Sequence, residues 1–284
     1  MMRLPAPAYT GPMQTIAFIG GGNMASAIVG GLIAAGRAPG TLIVVEPGAT
    51  QRQLLAERFG IAPLAAADAS LATAGLVVWA VKPQLFAAAA EPCVQHGAGA
   101  LQLSVMAGIR SDAIAVATQS DRVVRAMPNT PALIGKGVAG VFARPAVSRE
   151  DRQRVETVLA PTGEIVWIDR EEALDAVTAL SGSGPAYVFH LIEAMLAAAR
   201  EMGLPEAEAR RLAVQTVAGA AALAAASTET PEALRRNVTS PGGTTQAAMT
   251  LLESRSVKDA FVAAILAARD RARELGDEFG AAQH

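Results

Sequence analysis

A glycine-rich segment near the start of the sequence is the first candidate for chemistry. It directly follows the apolar run Thr15–Ile19 and fits the pattern G-x-G-x-x-A. In such a turn the first glycine permits a tight bend, the second lets a pyrophosphate approach the backbone, and N–H groups of the following helix bind phosphate oxygens. A plain structural turn is the alternative. The residues assigned to this dinucleotide site are Gly20, Gly22, Asn23, Met24 and Ala25.

A carboxylate is expected beside this turn. Glu46 ends the second apolar run, where an acidic side chain would hydrogen-bond the adenosine ribose hydroxyls of NAD. A 2′-phosphate at ~4 Å would be repelled by roughly 1 to 4 kcal/mol, so Glu46 favours NADH over NADPH. Two alternatives stay open: Glu46 turns outward and leaves Arg52 to meet a phosphate, or it is a solvated turn residue.

Two more segments follow apolar runs and are assigned to the cofactor pocket, because ligands of parallel sheets bind beyond the carboxyl ends of the strands. Lys82 could offer a cation to the cofactor or form a salt bridge. The prolines that bracket Asn129 and Thr130 stiffen either a pocket loop or a plain turn. The assigned residues are Ala80, Val81, Lys82 and Pro83 in one segment, and Met127, Pro128 and Asn129 in the other.

Two later segments are rich in glycine and hydroxyl groups. Ser181–Tyr187 reads SGSGPAY within a helical stretch, where glycine and proline are costly, so it either opens the backbone to a ligand or forms a kink. Thr239–Thr245 reads TSPGGTT between two helical stretches. Its hydroxyls and the N–H groups of the next helix suit a small carboxylate, and a turn with an N-cap is the alternative.

The elements that must position these residues divide the chain into two parts. Up to about Asp169, short apolar runs alternate with alanine-rich helical stretches, which predicts a doubly wound α/β sheet of the Rossmann type. The first five runs are nearly continuous, as in parallel strands buried on both faces. The predicted strands are Thr15–Ile19, Leu42–Val45, Leu76–Val81, Leu101–Met106, Val123–Ala126, Gly137–Phe142 and Glu164–Trp167.

After Asp169 the pattern is helical throughout. Residues 216–226 are almost all small and apolar, which predicts that they are buried. The predicted domains are a disordered tail at 1–12, a dinucleotide-binding domain at 13–169 and an all-helical domain at 170–284. Two helices are predicted, from Glu171 to about Met202 and from Pro205 to about Ala226. Two more are predicted to begin after an N-cap at Thr230 and after a capping box at Ser256.

Composition and charge argue against several classes of protein. A net charge of −2 without a basic stripe argues against a nucleic-acid partner. No apolar stretch reaches the ~20 residues of a membrane span. The single cysteine, Cys93, has no partner within the chain, which favours the cytoplasm over an oxidising compartment. We expect no metal site.

In this order and spacing the five motifs resemble those of the pyrroline-5-carboxylate reductases, over about Thr15 to Gly276. The last two motifs are the specific ones. The resemblance implies reduction of 1-pyrroline-5-carboxylate, a cyclic imine, to L-proline with NADPH or NADH in proline biosynthesis. It also implies that the helical domain holds the substrate and forms a homodimer or a larger assembly of dimers.

The resemblance also implies roles for particular residues. It places Ala80–Pro83 beside the nicotinamide half of the cofactor, and it assigns Thr245 as the catalytic hydroxyl beside the imine nitrogen. Glu46 departs from family members that have small or basic residues after the second strand. The residues implied for substrate binding are Ser240, Gly243, Thr244 and Thr245.

Three rival functions are weighed against this one. β-Hydroxyacid dehydrogenases need a lysine in the helix that follows the glycine-rich break, and none of the three lysines lies between Tyr187 and Arg200, so a base for alcohol oxidation is missing. A reductase of another imine stays open. A sensor that binds NAD(P) without turnover would not need the hydroxyl-rich loop. His190 is expected to be structural.

Overall fold

The computed structural model describes residues 15–281, so the tail predicted at 1–12 lies outside the described residues. The described chain forms two compact units. One consists of residues 15–183 together with 268–281, and the other consists of residues 184–267. No helix within 15–281 is both long enough and apolar enough to cross a membrane.

The first unit is built on a seven-stranded sheet with the order β2-β1-β3-β4-β5-β6-β7. Pairing is parallel from β2 across to β5, antiparallel between β5 and β6, and parallel between β6 and β7. The prediction of five parallel strands is therefore confirmed. The strands are β1 (Thr15–Ile19), β2 (Leu42–Val45), β3 (Ala74–Trp79), β4 (Leu101–Ser104), β5 (Val123–Met127), β6 (Gly137–Ala143) and β7 (Gly163–Trp167).

Helices cover both faces of this sheet. Ile16 and Phe18 of β1 belong to one buried cluster, whereas Ala17 and Ile19, which point to the opposite face, belong to another. This is the doubly wound arrangement that the sequence predicts. The α-helices of the unit are α1 (Asn23–Ala34), α2 (Ala49–Phe59), α3 (Phe86–Ala90), α4 (Val94–Gly97), α5 (Ser111–Thr118), α6 (Arg149–Leu159) and α7 (Ala173–Val177).

The second unit is all-helical among residues 184–267. Gly203 ends its first helix with φ +77°, and the Thr230 hydroxyl accepts the N–H of Ala233 at 3.2 Å, so two of the predicted helix ends are confirmed. The last helix begins directly after Ser256, as predicted, but Ser256 has φ +50° and not the extended backbone usual for a capping residue. The helices are α8 (Gly184–Glu201), α9 (Glu206–Ala226), α10 (Pro231–Asn237), α11 (Thr244–Ser254) and α12 (Val257–Ala281), and α12 continues into the first unit.

Two expectations about the helical part differ from the structure. The helix predicted from Glu171 to Met202 is divided into α7, a π-helical turn at Thr178–Gly182 and α8, because glycine and proline interrupt the regular ladder. Residues 216–226 were expected to be buried, but within the single chain all of them except Val217 are exposed. This apolar helix therefore lacks the cover that a helix of its composition needs.

Candidate active site

The glycine turn after β1 closes tightly against β3. Gly20 has φ +96°, and a Cβ on this residue would lie 2.6 Å from the Ala80 carbonyl oxygen. Its own N–H donates to the Val45 carbonyl at 2.8 Å. Only glycine combines this left-handed backbone with such a close approach, so the residue predicted to permit the tight bend has that geometry.

The start of α1 supplies free donors for an anion. Gly22 precedes the helix, no side chain caps it, and a Cβ at this position would meet open space. The first helical bond runs from the Ser26 N–H to the Gly22 carbonyl, so the N–H groups of residues 23–25 have no acceptor within the helix. Ala25 is buried against the sheet, as its small size predicts. The site fits the pyrophosphate of a dinucleotide.

Glu46 faces the glycine turn rather than solvent. Its two carboxylate oxygens accept one backbone N–H each, from Gly21 at 2.9 Å and from Gly48 at 2.7 Å. Arg52 is held beside it, because its guanidinium donates to the Glu46 and Pro47 carbonyls at 2.9 and 2.7 Å. Of the orientations left open by the sequence, the structure has the inward one. Each oxygen keeps a further lone pair for a ribose hydroxyl.

A second part of the same edge follows β3. The Ala80 N–H donates to the Ile19 carbonyl at 2.8 Å, so β3 and β1 end side by side. The chain then leaves the sheet, and a 3-10 turn begins at Pro83. Lys82 is exposed, and the structure records no ion pair for it within residues 15–281. Its ammonium group is therefore available at the edge where the cofactor is expected.

The segment after β5 is packed against the π-helical turn. Pro128 is buried, and the Met127 methyl carbon lies 2.7 Å from the position that a Cβ on Gly182 would take. The Asn129 amide donates to the Ser181 carbonyl at 3.1 Å and accepts the Val138 N–H at 3.0 Å. Asn129, which the sequence assigns to the cofactor pocket, therefore uses both its amide nitrogen and its amide oxygen in hydrogen bonds within the protein.

Buried charges that sequence reasoning did not identify anchor α7, just before that turn. Arg110 donates to both oxygens of Asp175, at 3.1 and 2.9 Å, and Arg125 contacts Glu171 at 2.6 Å. Burial opposes the charge of Arg110, yet the hydrogen bonds that it donates to Asp175 raise its pKa above the ordinary value. These partners are 46 to 65 residues apart in the sequence, so no local pattern indicates them.

The thiol of Cys93 is a further group to consider, and the structure argues against a catalytic role. It is buried and donates to the Ala89 carbonyl at 3.1 Å. Burial raises its pKa to about 11, so the thiolate needed for nucleophilic chemistry is scarce at neutral pH.

The hydroxyl-rich loop precedes α11 in the second unit. Gly243 is the residue before the helix, and no side chain caps it. The first helical bond runs from the Ala247 N–H to the Gly243 carbonyl at 3.1 Å, which leaves the N–H groups of residues 244–246 without helical acceptors. The N–H of Gly243 donates to the backbone carbonyl of Ser240 at 3.1 Å, so the free N–H donors are those of the residues just after Gly243.

Hydroxyl groups surround this helix start. Thr239 is already engaged, because it donates to the Arg235 carbonyl at 2.7 Å. For the hydroxyls of Ser240, Thr244 and Thr245 the described part of the chain records no hydrogen-bond partner, and Thr245 is half-buried. The structure therefore brings the four residues implied for the substrate to one helix terminus. The ring of His190 is exposed and lies 3.6 Å from Glu193, as expected for a helix-surface residue.

Comparison with known proteins gives matches along nearly the whole chain. One family model, described as pyrroline-5-carboxylate reductase dimerisation, matches residues 171–275, and another, described as NADP oxidoreductase coenzyme F420-dependent, matches residues 15–108. The pyrroline-5-carboxylate reductase of Pseudomonas aeruginosa is 40% identical over 269 residues, which cover 93% of this chain and 98% of that protein.

Solved structures give the same match. A pyrroline-5-carboxylate reductase from Coxiella burnetii has a TM-score of 0.85 and 36% identity, covering 93% of this chain and 99% of that one. A pyrroline carboxylate reductase from Plasmodium falciparum with NADP bound has a TM-score of 0.82 and 26% identity, covering 93% and 98%.

Proposed function

The chain belongs to the pyrroline-5-carboxylate reductase family, and from this premise we propose that it reduces 1-pyrroline-5-carboxylate to L-proline with NAD(P)H. The observation that carries the proposal is the 40% identity to a reductase of this name across 93% of the chain. The uncapped start of α11, with its unengaged hydroxyls, supports it independently, because a small anionic substrate suits such a site.

The cofactor is held along the carboxyl edge of the sheet. Gly20 and Gly22 admit the pyrophosphate to the start of α1, and the N–H groups of residues 23–25 donate to it. Ala80–Pro83 lie beside the nicotinamide half, with Met127 and Pro128 further along the same edge. When bound, NAD(P)H supplies the hydride that adds to the carbon of the C=N bond, while the nitrogen takes up a proton.

Glu46 makes NADH the preferred cofactor. Two backbone N–H donors fix its carboxylate beside the glycine turn, where the adenosine ribose is expected. In this position it accepts ribose hydroxyls and repels a 2′-phosphate. Backbone carbonyls hold Arg52 through one of its terminal nitrogens, and we expect the charge of Glu46, which lies nearer the glycine turn, to decide the preference.

The substrate is bound at the start of α11. Its carboxylate accepts the free N–H groups of the first helical turn, where the helix dipole also favours negative charge. Thr245 places its hydroxyl at the imine nitrogen and orients the ring or assists its protonation. A cyclic imine is already electrophilic, so holding its carbon ~3–3.5 Å from the hydride donor accounts for much of the catalysis.

The substrate and dimerisation domain that we propose lies within residues 170–284 and contains the compact helical unit at 184–267, and the protein is a homodimer or a larger assembly of dimers. The dimerisation model over residues 171–275 supports this assignment. Exposed apolar side chains in the helical unit support it as well, since they need cover: Leu212 is 58% exposed, Leu223 57% and Leu251 59%. The compartment in this proposal is the cytoplasm, where a lone buried thiol stays reduced.

The proposal is tested by following the consumption of NADH and of NADPH by the purified protein, with and without 1-pyrroline-5-carboxylate. Consumption that depends on the imine is expected, with the higher kcat/KM for NADH. Binding of both cofactors without turnover would support the sensor instead. Turnover of other cyclic imines, but not of this one, would support a broader imine reductase.

A further inference from the structure

A proline deprives the carbonyl of Ser181 of its usual helical partner. In a regular α-helix the carbonyl of Ser181 would accept the N–H of residue 185, but Pro185 has no N–H. The chain widens here into the π-helical turn, in which the Ser183 N–H donates to the Thr178 carbonyl at 2.8 Å. Turns of this kind are rare and are often found at functional sites.

Asn129 supplies the missing donor. Its Nδ2 donates to the Ser181 carbonyl at 3.1 Å, and its Oδ1 accepts the Val138 N–H from β6 at 3.0 Å. The side chain therefore bridges a strand of the sheet and the π-helical turn. It does so from the loop directly after β5, at the edge assigned to the cofactor.

A steric contact fixes the same pair of segments. The methyl carbon of Met127 occupies the space beside Gly182, where a Cβ would lie only 2.7 Å away. The residue two positions before Asn129 thus packs on the residue after Ser181. One polar and one apolar contact together set the distance between the turn and the end of β5.

We propose that Asn129 is a positioning residue for hydride transfer, which acts by holding the π-helical turn against Met127 through the Ser181 carbonyl. This proposal rests on the proposed function. Geometry near the reacting atoms is critical, because a displacement of ~1 Å can cost about 100-fold in rate. Without the amide, the Ser181 carbonyl loses its donor and the turn moves away from the end of β5.

The test is a single-turnover experiment on Asn129→Asp. This variant keeps the acceptor for the Val138 N–H but replaces the donor to Ser181 with an oxygen. Enzyme in excess is mixed with limiting NADH and saturating 1-pyrroline-5-carboxylate. We expect the first-order rate constant to fall about 10- to 100-fold, with the amplitude and the dissociation constant of NADH within about two-fold of wild type. Because NADH is limiting and the rate constant is read where it no longer rises with enzyme concentration, an unfolded fraction of the enzyme leaves the rate constant unchanged.

Gln102→Glu is the matched control. Gln102 is another buried amide that bridges backbone and side chain, with its Nε2 bound to the Gly97 and Ala100 carbonyls and its Oε1 to Trp79. The same amide-to-carboxylate change at this position should lower the stability of the protein but leave the single-turnover rate constant unchanged. An Asn129→Asp rate constant within two-fold of wild type would overturn the proposal, as would an equal fall in Gln102→Glu.

A second variant keeps the proposal testable if Asn129→Asp does not fold. Pro185→Ala returns an N–H to the helix, so Asn129→Ala should cost less in rate in this background than in the wild type. Equal losses in the two backgrounds would contradict a role through Ser181. Because the wild type is measured first, its failure to turn over would count against the proposed function, not against this inference.

Discussion

The Oε2 atom of Glu46 accepts the N–H of Gly21 at 2.9 Å, so the residue that follows β2 is bonded directly to the turn that follows β1. The second oxygen accepts the Gly48 N–H at 2.7 Å. This double contact fixes the carboxylate where the adenosine ribose is expected, which is the basis of the cofactor preference that we propose.

Removal of the Glu46 charge should relax the preference for NADH that we propose. In Glu46→Gln we expect the ratio of kcat/KM for NADPH to that for NADH to rise by about 5-fold or more, since repulsion of roughly 1 to 4 kcal/mol is lost. Steady-state kinetics with both cofactors measure the ratio. Glu57→Gln is the control, because Glu57 is an exposed acid on α2 that contacts Gln53. A wild type that strongly prefers NADPH would refute the role of Glu46.

Loss of the Thr245 hydroxyl should slow turnover. If Thr245 acts as we propose, Thr245→Ala removes a hydrogen bond to a charged group worth about 1.5–3 kcal/mol, so kcat/KM for the imine should fall roughly 10- to 150-fold. Thr245→Ser, which keeps a hydroxyl, should retain part of the kcat/KM that Thr245→Ala loses. Thr157→Ala loses a hydroxyl bonded to the Gln153 carbonyl on α6, away from the proposed site, and its kcat/KM should be unchanged. Equal kinetics of Thr245→Ala and wild type would remove this hydroxyl from the mechanism.

A charge on the exposed face of α9 should disrupt the assembly. Leu223 is 57% exposed in the single chain, and in Leu223→Asp a carboxylate would be buried against the partner. Sedimentation should show a smaller species than the wild type. Leu54→Asp is the matched control, because Leu54 is 53% exposed on α2 of the first unit and should leave the assembly intact. If Leu223→Asp and Leu54→Asp both sediment with the mass of the wild-type assembly, the interface lies elsewhere.

Stability should depend on pH through Asp151. Burial alone would raise its pKa, but hydrogen bonds from Arg122 and Ser148 outweigh burial and hold the pKa below 3.8. A pKa that is lower in the folded protein stabilises the fold at pH values above the ordinary pKa of the side chain. This stabilisation is lost as the pH falls through the pKa of the folded state. Asp151→Asn should therefore lower the free energy of unfolding by about 1 to 3 kcal/mol at pH 7. The difference in stability between wild type and variant should shrink below about pH 4, and denaturant titrations at pH 7 and below pH 4 measure it.

Much of the first unit could be predicted because its signals are local. Thr15–Ile19 and Leu42–Val45 are strands with the predicted bounds, since each apolar run ends where pairing ends. The third run was predicted to extend to Val81, but β3 ends at Trp79. Apolar composition does not reveal where a chain leaves its neighbours, and Ala80 with Val81 are apolar because they line the glycine turn.

The rest depends on contacts between distant residues or between chains. The pairing of Asn129 with Ser181 spans 52 positions, so no periodicity could indicate it. The sequence correctly marked the break at Ser181–Pro185, yet the kind of turn depends on which side chain replaces the missing donor. Residues 216–226 have the composition of a buried helix, but residues 15–281 of the single chain leave all of them except Val217 exposed.

The most direct test of the proposed function is the amount of L-proline formed for each NADH consumed when the purified protein acts on 1-pyrroline-5-carboxylate. We expect one L-proline for every NADH consumed, and no consumption of NADH when the imine is omitted. NADH consumption without L-proline, or no consumption while the cofactor binds, would contradict it.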